Sequence, residues 1–176
     1  MAVNKKIQIG MIHRFPRSAL MQFLPKSTTV AVSAFVAFLL AGCGNSQVAE
    51  CNKLIDPINK GHNLVANFQS NDAAAANKLA SELDGTIEEL EKVELKDEKL
   101  KGFQERFTQI YEELSKAFRT TGQALKTASA APPTPAGGET VRKAKAEVEA
   151  AGKVAESAAK KADALAIEIN SYCSKM

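Results

Sequence analysis

Tryptophan is absent from this 176-residue sequence, histidine occurs only at His13 and His62, and ten glycines are spread thinly along the chain. After Cys43 no stretch alternates apolar and polar residues between turn signals, which excludes a sheet from the expected fold. Alanine, lysine and glutamate dominate the second half, a composition suited to long helices. The chemistry that is missing matters as much. There is no nucleophile elbow, phosphate-binding glycine loop or paired-cysteine redox motif. His62 has no histidine or glutamate partner at a helical interval, and the Glu-x-x-His pairs of di-iron bundles are lacking. Catalysis, a metal and a cofactor are therefore not expected, and His62 reads as a surface residue.

Acidic residues are also missing from the first 42 positions, where Lys5, Lys6, Arg14, Arg17 and Lys26 all lie. Val30 to Leu40 forms an apolar run broken only by Ser33, followed by small residues. That is the pattern of an export signal, and the run is shorter than the roughly 20 apolar residues a spanning helix needs. Without residues 1–42 the charge changes sign. Eighteen basic side chains remain against 20 acidic ones, a formal charge of −2 in place of +3. Such a balance argues against a nucleic-acid partner, which requires a basic face.

Leu40-Ala41-Gly42-Cys43 resembles the lipobox of bacterial lipoproteins, a resemblance confined to the signal. It implies a diacylglyceryl group on the Cys43 thiol, cleavage just before that residue, and attachment to the membrane of the cell envelope. Several acyl chains, at about 0.8 kcal/mol per buried methylene, anchor a protein stably where one does not. The residue after the cysteine is Gly44 and not the aspartate associated with inner-membrane retention, so the resemblance favours the outer membrane. The leader is longer than the usual 15 to 30 or so residues, and Met11 and Met21 offer later starts.

Beyond Cys43 a short tether (43–47) leads into four helical patterns, at about 47–69, 72–93, 98–128 and 139–174. The first places Cys51, Leu54, Ile55, Ile58, Val65 and Phe68 on one face and continues in phase across Pro57, which predicts a kinked single helix. Asn71-Asp72 signals the start of the second, with Leu79, Leu83, Ile87 and Leu90 in phase. The third carries Leu100, Phe103, Phe107, Ile110, Leu114, Ala117 or Phe118, Thr121 and Leu125. The fourth runs from Val141 through Ala144, Val148, Ala151, Ala155 and Ala158 to Leu165, Ile169 and Tyr172. Steps alternating three and four are the heptad rhythm of bundle helices. Pro132, Pro133, Pro135, Gly137 and Gly138 mark 129–138 as a linker. The expected fold is all-α, an antiparallel up-down-up-down four-helix bundle over 48–174.

With Cys43 taken by lipid, Cys51 and Cys173 form an even pair in an oxidising compartment. In an up-down bundle the start of the first helix and the end of the fourth share one end, so phase and redox chemistry both predict a Cys51–Cys173 disulfide. The unequal helix lengths leave two alternatives open. Helices three and four project beyond the others as a tip, or Thr121-Gly122 ends helix three early. The expected function is a membrane-anchored structural or interaction module with an envelope protein as partner. The alternative is a carrier holding a small apolar molecule among Phe68, Phe103, Phe107 and Phe118, residues that otherwise belong to the core.

Overall fold

The computed structural model describes residues 44–69 and 72–175; the predicted signal segment and Cys43 lie outside them. Four helices follow in order, α1 (Gly44–Ala66), α2 (Ala73–Glu91), α3 (Glu98–Ser129) and α4 (Pro135–Cys173). They pack as an up-down bundle. α3 is the central member, lying along both α2 and α4 and touching α1, while α1 leans mainly on α2.

The interior is built from the predicted seams. Cys51, Leu54, Ile55, Ile58, Leu79, Leu83, Leu90, Leu100, Phe103, Phe107, Ile110, Leu114, Leu165 and Ile169 are all buried in one cluster. α3 also buries Tyr111 and Ser115, because a central helix must cover more than one stripe. Val141, expected in the α4 seam, is 45% exposed. α4 buries a heptad series of small residues, Gly137, Ala144, Ala151 and Ala158, before reaching Leu165. Alanine contributes little apolar area, so at about 25 cal/mol per Å² this half of α4 is held less firmly than the Leu165–Cys173 end.

Three boundaries differ from expectation for physical reasons. The expected tether is helical from Gly44 onward, so α1 begins directly after Cys43. α1 ends at Ala66 and not at 69, with Asn67 N–H still bonded to Asn63 O at 3.1 Å before the chain turns. The largest correction is at the supposed linker. α4 starts at Pro135 and not at 139, with Thr134 as N-cap accepting from Gly137 N–H and Pro135 in the first turn. Proline lacks only a donor that a first turn would leave unpaired anyway. Gly137 is needed because the chain folds back there, and a Cβ would lie 1.8 Å from Pro132 O. The proline and glycine cluster thus builds a helix start, leaving 130–134 as the connection.

Pro57 sits inside an unbroken α1. Thr121-Gly122 does not end α3 either, since that helix runs to Ser129. α1 stops where Phe68 meets the Phe118 ring at 5.1 Å. α2 starts near Gly122, against which the Asn77 side chain lies. The pairs Arg106–Glu168 and Glu113–Lys161 set the α3–α4 register. Extended along both helices, that register brings the end of α3 level with a point about two to three turns inside α4. The projecting element is therefore the start of α4 backed by 130–134, and not two helices of equal reach.

Candidate functional site

The end of the bundle next to Gly44 is held by a disulfide and a set of polar contacts. Cys51 and Cys173 are bonded, with Cα atoms 6.0 Å apart and 122 residues between them in sequence. Both are buried. This bond is where the backbones of α1 and α4 meet, as the two helices make no other extensive approach.

Around it, α1 caps the α2–α3 connection. The Glu50 carboxylate accepts from Lys96 N–H at 2.7 Å and Asp97 N–H at 3.1 Å. The backbone N–H of Asp97, and then that of Lys96, hold the Glu50 pKa below its usual value. Asp97 is itself the N-cap of α3, accepting from Lys99 and Leu100 N–H. Its second oxygen accepts from Tyr172 Oη at 2.7 Å. Desolvation pushes the Asp97 pKa up, but the bonds from Tyr172, Leu100, Lys99 and Gln47 outweigh it and leave it lowered. The same bond raises the Tyr172 pKa, because ionisation would remove the donor. At the end of α2, Gln104 donates to the carbonyls of Leu90 and Val93. These groups all have structural partners. They form a clasp uniting the four helices.

Midway along the bundle, Tyr111 is buried and donates its hydroxyl to Ile58 O at 2.5 Å. Burial pushes its pKa up strongly. The ring lies over Gly61, where a Cβ would come within 2.5 Å of it. Sequence reasoning did not single out this pair. A lone glycine among polar residues on α1 was the available signal.

Two hollows are lined by described residues. One, of about 850 Å³, runs between α1 and α2 and presents Asn59, Asn63 and Asn67 along one side with Leu64 and Leu79 at its base. The other, of about 250 Å³, lies at the root of the projecting segment and includes Phe68, Phe118, Leu125 and Val148. The four phenylalanines thus divide: Phe103 and Phe107 are core, whereas Phe68 and Phe118 border the smaller hollow. His62 is partly exposed on α1. Among the described residues no group of three histidine, cysteine, aspartate or glutamate side chains could hold a metal ion, and no helix is long and apolar enough to cross a membrane. Cys43, the predicted lipidation site, lies outside the described residues.

Fold and contacts define an all-α, disulfide-closed four-helix bundle. No family model matches the chain, and no curated protein or solved structure matches it either.

Proposed function

We propose that this protein is a lipid-anchored module of the bacterial cell envelope that engages another envelope protein through the end of the bundle remote from Cys43. The observation that carries the reading is the polarity of the bundle. α1 starts at Gly44, one residue after the lipobox cysteine, while the start of α4, with exposed Val141, projects from the opposite end. A buried disulfide fits an oxidising compartment outside the cytoplasm. The absence of an aspartate after Cys43 favours the outer membrane.

The anchor is tested by Cys43→Ala, which abolishes fatty-acid labelling; labelling that persists sinks it. The orientation is tested by a photo-crosslinker introduced at position 141 and, for comparison, at position 92 beside the clasp. Adducts with an envelope protein are expected from 141 in intact cells, and equal yields from both positions would remove the case for a distal contact. The carrier reading retains one supporting observation, that Phe68 and Phe118 border a hollow. Its volume of about 250 Å³ falls below the range of about 300–1,000 Å³ usual for small-molecule pockets. A co-purifying apolar ligand in native mass spectra would revive it.

A further inference from the structure

The groove between α1 and α2 has a feature that neither the core nor the clasp uses. Asn59 and Asn63 on α1 and Asn67, in the turn that follows it, recur every fourth residue and border the groove together. Within the described residues, none of the three side-chain amides makes a hydrogen bond, and Asn59 Oδ1 is buried without a partner. A buried acceptor left unpaired is costly, and native structures keep few of them. The charges nearby are already matched. Lys60 pairs with Glu89 at 2.5 Å and Lys78 lies 3.9 Å from Glu82. What the groove offers a ligand is therefore neutral hydrogen bonding, with Leu64, Leu79 and Phe68 as apolar base.

We infer that this groove binds a segment of another polypeptide in extended conformation, its backbone running along the asparagine row. Each primary amide supplies a donor and an acceptor, the pair of groups that each outward-facing residue on the edge of an extended chain presents. Positions four apart on a helix are separated by about 6.0 Å along the axis. The same edge of an extended chain repeats every two residues, or about 6.6–6.8 Å. The row turns about 40° per step around the helix, so three members stay on one flank. From Asn59 to Asn67 it covers about 12 Å, the length of some four extended residues. Alternate side chains of that segment would face Leu64 and Leu79, and its backbone would bond the exposed amides of Asn63 and Asn67. Recognition of this kind draws affinity from the main chain and only modest selectivity from side chains.

The inference deepens the interaction reading by naming a partner chemistry, and it can fail separately, since crosslinking from position 141 does not involve the groove. A pool of random, unstructured decapeptides is titrated into the ¹⁵N-labelled full-length protein. The side-chain NH₂ resonances of Asn63 and Asn67 are expected to shift saturably. A binder selected from a displayed version of the pool loses at least about tenfold in affinity against N63A/N67A, at roughly one hydrogen bond's net worth per asparagine. Both residues are exposed and neither belongs to the buried core, so the variant folds. A copy of the binder N-methylated on its backbone loses affinity similarly. Resonances that stay in place across the pool overturn the inference, as does a binder indifferent to both changes. Shifts produced by a neutral oligosaccharide such as chitotetraose, with none from peptides, overturn it in favour of a glycan.

Discussion

Reduction of Cys51–Cys173 should be the most damaging single change to this fold. The bond closes a loop across 122 residues of sequence. In the chain-entropy description a loop of that size restricts the unfolded ensemble by about 5 kcal/mol. Domains are stable by only about 5–15 kcal/mol in total. At about 3–4 °C per kcal/mol for a chain of this length, the melting temperature should fall by some 15–20 °C. The loss should begin at one place. The backbones of α1 and α4 approach closely only at the bond, so once it is reduced these ends are tied only through the polar clasp at Asp97. Paired thermal melts by circular dichroism, oxidised and with a phosphine reductant, give the magnitude. Hydrogen exchange gives the location, with protection lost first in the opening turns of α1 and the closing turns of α4. Cys51→Ala/Cys173→Ala without reductant should melt near the reduced protein. A difference below about 5 °C would refute the reasoning, since it would mean that the reduced unfolded chain is already compact or that packing alone closes the bundle.

Two glycines should behave in opposite ways. Gly61→Ala places a methyl group 2.5 Å from the buried Tyr111 ring and should cost about 1–3 kcal/mol in denaturant melts, partly recovered by Tyr111→Leu. Gly122→Ala first meets the Asn77 side-chain amide, which gives up its bond to Ala73 O when it swings aside, and the gain of up to about 1 kcal/mol in helix propensity offsets that loss and should leave it near neutral. The clasp should loosen in acid. Glu50 and Asp97 have folded pKa values below their ordinary 4.5 and 3.8. Their contribution is thus complete above those ordinary values and disappears as the pH falls through the lower folded ones. Exchange at the Lys96 and Asp97 amides should accelerate beyond the intrinsic trend as the pH falls below the ordinary 4.5 and 3.8, and Glu50→Gln should flatten the response. At the other extreme Tyr172, raised above 10.0, holds its bond to Asp97 below that pH and releases it as alkalinity passes the folded value.

Much of the bundle could be read from spacing alone, because a helix buried on one side must repeat its apolar residues every three or four positions. Leu54, Leu83, Phe107 and Leu165 stand where that rule places them. Cys51 and Cys173 were legible for a second reason, that two constraints coincided on the same end of the bundle. The start of α4 departs from the sequence expectation because proline and glycine do not have their commonest effect there. Pro135 stands in the one turn that tolerates it, and Gly137 answers to the approach of Pro132 O, a tertiary fact. Tyr111 escaped notice since its place follows from α3 being central, which no single helix reveals. The row Asn59, Asn63, Asn67 was visible as a fourfold repeat, but polar residues on a helix are usually solvated, and only the groove beside them gives the repeat a meaning.

The disulfide also changes how the molecule would carry load. Suppose it is held at Gly44 and pulled at Pro135. Along the sequence about 91 residues separate those points, a slack of some 320 Å when fully extended. Through the Cys51–Cys173 bond the route is seven residues and then the length of α4, about 45 in all, and at most about 160 Å. Oxidised, the protein is a short strap whose force path bypasses α2 and α3. Reduced, it could pay out twice as far before going taut.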